Sequence, residues 1–242
     1  MIRGMIAAAN SRPKSNGGGA DPYWANVVLL LHLDGPTGFA DSSPTGAVPT
    51  AIGSSAISTS IKQFGAGSLF VGANGATSGG ITVTGGSVTS SLALGAGDFT
   101  VELAVRPAQP LTSLFWSTLI DFQKPSSSNR LMLQADSTRV RVLVDGTVKL
   151  TVNPTVPSTV WTHVAISRIG GTSRLFIAGV LVGSWADAIN YSTSFDRPII
   201  GAQGYSAGTN PLDGHIDEVR ITKGVGRYLT TFTPPSAPYP SS

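Results

Sequence analysis

The feature that most constrains this chain is a run of short apolar segments with a period of two, each closed by turn residues. Phe99-Thr100-Val101-Glu102-Leu103-Ala104-Val105 alternates throughout, so Phe99, Val101, Leu103 and Val105 share one face of an extended strand that Pro107 ends. Val140, Val142 and Val144 behave likewise, and Asp145-Gly146 after them is a two-residue hairpin signal leading into Val148 to Val152. Val27 to Leu31 is continuously apolar, as expected of a strand covered on both faces. Further strands are read at Leu131 to Leu133, Trp161 to Ile166, Arg174 to Ile177 and Val180 to Val182, punctuated by Gly170-Gly171 and Gly179. In His215 to Ile221, Ile216 and Val219 fall on opposite faces of a regular strand, so the segment is either bulged or covered twice. No window carries a helical period, and only Val225 to Leu229 suits a short turn. A chain of about a dozen short strands without helices forms a sandwich or a barrel, and spacing alone does not choose between them.

The 242 residues fit one such all-β domain, and no linker divides the middle. Residues 1–22, with Pro13 and Gly17-Gly18-Gly19, lack periodicity. They are expected to form a flexible arm, either a disordered leader or a segment that orders against a partner. The globular domain is expected over 23–232, and 233–242 reads as an extended, proline-rich tail on its surface.

Only 12% of residues are charged, and the net charge is +3 with no basic run, which argues against nucleic acid as a partner. The absence of cysteine excludes disulfides and thiolate metal sites. No apolar run approaches the roughly 20 residues of a membrane span. The patch within Met1 to Asn10 is too short for a signal peptide. No membrane insertion and no signal peptide are therefore expected.

Several segments, in order, carry a resemblance. Tyr23 to Gly35 followed by Asp41-Ser42-Ser43, then Gly97-Asp98-Phe99-Thr100-Val101-Glu102, Trp161-Thr162-His163-Val164-Ala165, Arg174 to Val180 and Leu212 to Gly224 resemble laminin-G-like (concanavalin A-like) jelly-roll domains. Tyr228 with Phe232-Thr233-Pro234-Pro235 is similar to the ending of the version found in bacteriophage structural proteins. Two positions depart from the family pattern: Ala178 replaces a hairpin Asp, and Leu103-Ala104 replaces an aromatic pair. The resemblance implies a two-sheet antiparallel jelly-roll sandwich with an extended N-terminal arm and a Pro-rich C-terminal tail. It also implies a face or loop rim for carbohydrate, a structural calcium ion in many members, and decoration of a capsid or tail in phage proteins. Function transfers less well than fold, because it resides in grafted loops.

Catalysis is disfavoured. Glycosidases need paired carboxylates roughly 5–10 Å apart, and the only two glutamates, Glu102 and Glu218, lie in separate strands. His32, His163 and His215 sit within strand patterns and read as structural. Calcium needs six to eight oxygens. Asp34, Asp41 and Asp217 occupy the places where related domains gather them, although each equally suits a turn-capping Asx hydrogen bond. For carbohydrate, Trp116, Trp185, Tyr191 and Tyr205 lie near expected loops, with Asn190, Gln203 and Asn210 as polar companions. The alternative is that these aromatics close sandwich edges. Trp161 is assigned to the core. Arg3, Arg12 and Lys14 would anchor the arm to an acidic groove of a neighbouring subunit.

The expectation is a non-catalytic virion module, decorating a capsid or forming part of a tail, with weak glycan adhesion as a second role. It would be assembled in a host cytoplasm, as a homo-oligomer among other virion structural proteins. The alternative is a free carbohydrate-binding lectin module, calcium-dependent in one version.

Overall fold

The computed structural model describes residues 19–35, 39–72, 78–84, 92–111, 116–124, 128–153, 155–192 and 197–242. In chain order the strands are β1 (Val27–Leu31), β2 (Val48–Ala51), β3 (Ala56–Ser58), β4 (Ser68–Gly72), β5 (Ile81–Thr84), β6 (Phe99–Pro107) and β7 (Ser117–Asp121). They continue as β8 (Leu131–Ala135), β9 (Val140–Val144), β10 (Thr147–Val152), β11 (Thr162–Ile169), β12 (Thr172–Ile177), β13 (Val180–Ala186), β14 (Ile199–Ile200) and β15 (Gly214–Lys223). A 3-10 turn, Trp24–Asn26, leads into β1. No helix among the described residues is long and apolar enough to cross a membrane.

Two antiparallel sheets result. The first runs β13-β12-β11-β6-β15-β4-β3, with β1 also paired to β15, and the second runs β10-β9-β8-β7-β14-β5-β2. The choice left open by spacing is thereby made, because two separate sheets share one apolar interior. Val101, Leu103 and Val105 of β6 and Val164 and Ile166 of β11 pack in the same cluster as Leu133 of β8 and Val140 and Val142 of β9. Alternation places these residues inward, and burying each such side chain contributes about 1.5–3 kcal/mol.

The ambiguous His215 segment is bulged. Pairing of β15 with β6 shifts register between Asp217 and Arg220, and Glu218 takes φ +50°. The extra residue turns both Ile216 and Val219 into the core, where each is fully buried. The hairpin turns follow their chemistry. Asp145 and Gly146 both take positive φ, +49° and +77°, as a type I′ turn requires. Ala178 and Gly179 adopt the same pair of angles, +51° and +77°.

Asp21 and the C-terminal residue meet beside the first sheet. The ordered body begins before residue 23, since Asp21 is buried and its carboxylate receives Arg220 Nη1 at 2.9 Å and Arg227 Nη2 at 2.7 Å. Residues 233–242 carry no regular secondary structure and run along the surface exposed or half-buried, apart from one anchored side chain. Tyr239 is buried against Val27, Leu30 and Trp24, and the carbonyl of Ser242 accepts from the N–H of Asp21 at 2.7 Å. The tail seals a charged network on the outer face of the first sheet. Fully buried Glu102 accepts from Arg220 Nε (2.9 Å), Tyr228 OH (2.6 Å) and Tyr239 OH (3.1 Å), with His163 Nε2 at 3.1 Å. Burial alone would raise the Glu102 pKa, but the charge of Arg220, the His163 contact and Arg227 hold it far below the carboxylate range. A buried carboxylate is tolerated when its lone pairs are filled in this way. Arg3, Arg12 and Lys14 lie outside the described residues.

Candidate functional site

The second sheet leaves a cleft of about 720 Å³ on its outer face. Its floor follows from strand parity. On β8 and β9, Leu131, Leu133, Val140 and Val142 point inward, so Met132, Gln134, Arg141 and Leu143 point outward. They meet as cross-strand pairs, Met132 with Leu143 and Gln134 with Arg141. Trp116, Gln123 and Lys124 line the cleft beside β7, Asp145 and Gly146 at the β9–β10 turn, and Gln203, Tyr205 and Asn210 from the segment after β14.

The polar groups are held in fixed orientations. Gln134 donates its Nε2 to Thr118 Oγ1 at 3.0 Å, and its Oε1 accepts both Nε and Nη2 of Arg141, at 3.1 and 2.8 Å. The Arg141 guanidinium lies over Trp116, 3.7 Å from the ring centroid. Burial lowers its pKa, yet guanidinium stays charged at neutral pH. Gln203 Oε1 accepts from Asn210 Nδ2 at 2.9 Å and from Thr209 Oγ1 at 3.2 Å. The loop is anchored from below by Asp121, whose carboxylate accepts the N–H of Gln123 (2.8 Å) and of Gly204 (2.7 Å). Arg197 reinforces it by donating to the carbonyls of Gln123 (2.8 Å) and Gly204 (2.6 Å). Burial pushes Asp121 up to about 6, with those N–H groups and Arg197 pulling the other way.

Of the four aromatics expected to bind sugar, the structure brings Trp116 and Tyr205 to this cleft, together with the companions Gln203 and Asn210. Tyr205 is 57% exposed. Trp116 carries Arg141 on its ring, so that face is closed to a sugar. Tyr191 must be corrected. It is 1% exposed, edge-on to Phe99, with its hydroxyl donating to Asp187 Oδ2 at 3.0 Å, and it has no free face. Trp185 is half-buried against the core on β13 and does not line this cleft. Trp161 is only half-buried, at the entrance to β11. Arg141 and Gln134 were missed by sequence reasoning, although the outward parity set by Val140 and Val142 marks Arg141.

The expected calcium ligands do not form a donor set. Asp41 Oδ1 accepts the N–H of Leu30 and of Ser43, both at 2.9 Å, and its Oδ2 accepts that of Ala47 at 2.8 Å. Asp34 Oδ1 caps Ala66 and Gly67, and Asp217 caps Gln63, Phe64 and Glu218. An added Cβ at Gly65 would strike the Asp34 carboxylate. Oxygens faced by N–H dipoles are poorly placed for a cation, so the capping alternative holds for all three. Among the described residues no group of three or more His, Cys, Asp or Glu is arranged for a metal ion. These three residues do not fit calcium.

Two antiparallel sheets packed over one apolar interior define a jelly-roll-type β sandwich. The chain belongs to the concanavalin A-like lectin/glucanases superfamily, whose family model matches residues 74–225. No curated protein matches the sequence. Among solved structures, the binding domain of botulinum neurotoxin DC in complex with SialylT is similar at 17% identity and a TM-score of 0.62, over 83% of this chain and 48% of that one. Botulinum neurotoxin type C, whose cell entry depends on two ganglioside molecules, is similar at 16% identity and a TM-score of 0.61, over 83% and 48%. Domain 4 of AbnA, a GH43 extracellular arabinanase from Geobacillus stearothermophilus solved with arabinotriose, gives 20% identity and a TM-score of 0.57, over 83% and 94%. The chain thus spans about half of the toxin chains and nearly all of the arabinanase domain. At these identities the likeness concerns the fold.

Proposed function

We propose that this protein is a non-catalytic saccharide-binding module and that the cleft on the second sheet is its binding site. The observation that carries the reading is Tyr205, exposed on a cleft also lined by the side-chain amides of Gln203 and Asn210, which are held to each other. A flat apolar ring beside oriented amides suits a sugar, which has an apolar face and an equatorial rim of hydroxyls. The ligands named for the structural neighbours, gangliosides and arabinotriose, support the same reading. Its non-catalytic character is supported by the carboxylates. Glu102 is sealed in its network, Glu218 lies 2.8 Å from His32, and Asp145 in the cleft accepts two backbone N–H groups, from Asn129 and Arg130.

A glycan array followed by calorimetric titration tests the proposal. Binding should fall roughly tenfold in Tyr205→Ala, the loss expected for one stacking contact. An array without any bound glycan, or a Tyr205→Ala variant that binds as tightly as the native chain, would remove it. The setting we propose is the surface of a virion, which the similarity of Tyr228 with Phe232-Thr233-Pro234-Pro235 to phage structural proteins supports. Detection of this chain in purified particles by mass spectrometry tests that setting, and its absence from them favours a free lectin.

A further inference from the structure

We propose that the cleft is built for a saccharide that carries a carboxylate, and that Arg141 is the group that recognises it. This rests on the saccharide-binding reading and narrows it. Arg141 lies flat over Trp116 at 3.7 Å, and both Nε and Nη2 are held by Gln134 Oε1. Gln134 is itself fixed through Thr118, so the amide cannot turn away without losing that bond. The guanidinium is therefore oriented by a neutral acceptor and an aromatic ring, and neither cancels its charge.

Several guanidinium groups elsewhere in the fold are paired with carboxylates. Arg168 lies 3.7 Å from Asp187, Arg220 2.9 Å and Arg227 2.7 Å from Asp21. Arg139, two positions before Arg141 and also near the Trp116 ring, is held by Asp136 at 2.7 Å. Arg141 has no carboxylate within ion-pair distance among the described residues. The acidic residue lining the cleft, Asp145, does not compete for it. Both of its oxygens accept backbone N–H groups, from Asn129 at 2.5 Å and Arg130 at 3.0 Å. A neutral sugar would be served by the amides alone. A half-buried, pre-oriented guanidinium adds something only for an anion, and its planar fork matches a carboxylate in two parallel hydrogen bonds.

The test is calorimetric titration of the full chain with small probes in matched pairs: 3′-sialyllactose against lactose, and trigalacturonate against its methyl ester. At least one acidic member should bind ten or more times as tightly as its neutral counterpart. Arg141→Gln should abolish that preference and Arg141→Lys, which keeps the charge without the fork, should retain part of it. Arg174→Gln makes the same charge change on the other sheet and should leave the preference intact, separating recognition from general attraction to a basic protein. Melting curves of each variant identify any loss of fold, in which case Arg141→Lys alone carries the comparison. Equal binding of acidic and neutral members, or a preference that survives Arg141→Gln, overturns the carboxylate assignment and leaves the saccharide reading standing. Failure of these probes and of a broad glycan array together overturns both.

Discussion

Tyr239, close to the end of the chain, lays its ring over the guanidinium of Arg220, 3.8 Å from the ring centroid. The same hydroxyl that reaches Glu102 at 3.1 Å is 3.1 Å from His163. One tail residue thus closes the buried network of the first sheet and fills the small cluster with Val27 and Leu30. Tyr239→Phe keeps the ring and should cost about 0.5–1.5 kcal/mol, because Glu102 loses one hydrogen bond but keeps Arg220, Tyr228 and His163. Tyr239→Ala also leaves a cavity and should cost about 3–5 kcal/mol, lowering the melting midpoint by roughly 2–4 °C per kcal/mol. Calorimetry decides this, and an Ala variant as stable as the native chain would mean that the tail is dispensable.

Ala178 stands in a type I′ turn at φ +51°, exposed, with its N–H donating to the carbonyl of His163 at 2.8 Å. Alanine is strained there, whereas asparagine tolerates the left-handed region and is preferred before glycine in such turns. Ala178→Asn should stabilise by about 0.5–1 kcal/mol and raise the midpoint by a few degrees. A lower midpoint would count against this account of the turn.

Asp121 links stability to pH. Its folded pKa is raised to about 6 from an ordinary 3.8, so the folded chain holds this proton more tightly than the unfolded chain. Stability from this group is therefore gained as pH falls through 6 towards 4, and lost as pH rises. His215, pushed down to about 4 by burial and Arg106, acts in the opposite sense over a neighbouring range. The contribution of Asp121 is isolated by comparison with Asp121→Asn. The native chain should gain on the order of 1–3 kcal/mol relative to that variant between about pH 7 and pH 4 in urea melts. Parallel pH profiles of the two proteins would show that Asp121 titrates as it does in the unfolded chain.

Removal of divalent ions should have no effect on the midpoint. Oδ1 of Asp34 and both oxygens of Asp41 and of Asp217 accept backbone N–H groups, which places them poorly for a cation. A ligand that binds only the folded state must raise the midpoint. Thermal melts in calcium and in chelator should superimpose, and a rise in calcium would place an ion elsewhere in the chain.

Much of this molecule was legible before any coordinates. Alternation in Phe99 to Val105 and in Val140 to Val144 specified the inward faces, and Asp145-Gly146 specified its hairpin, because period and turn chemistry act between near neighbours. The double reading of His215 to Ile221 was resolved by a bulge at Glu218 that sequence had already made one of two options. Within the cleft, Tyr205, Gln203 and Asn210 were legible as polar and aromatic loop residues.

Local pattern could not say which aromatic is covered, since coverage depends on what distant strands bring to it. Tyr191 looked as available as Tyr205 until Phe99 and Asp187 closed around it. Trp116 offered a ring, and only the pairing of β8 with β9 delivered Arg141 to its face. The proline-rich ending read as a surface tail, yet the partners of its Tyr239 are distant in the chain: Glu102 lies 137 residues earlier, and Val27 and Leu30 earlier still. The sequence by itself determined strands, faces and turns, because backbone sterics and side-chain parity are local. Tertiary structure alone decided which charges are neutralised and which remain open, because that depends on groups meeting across two sheets.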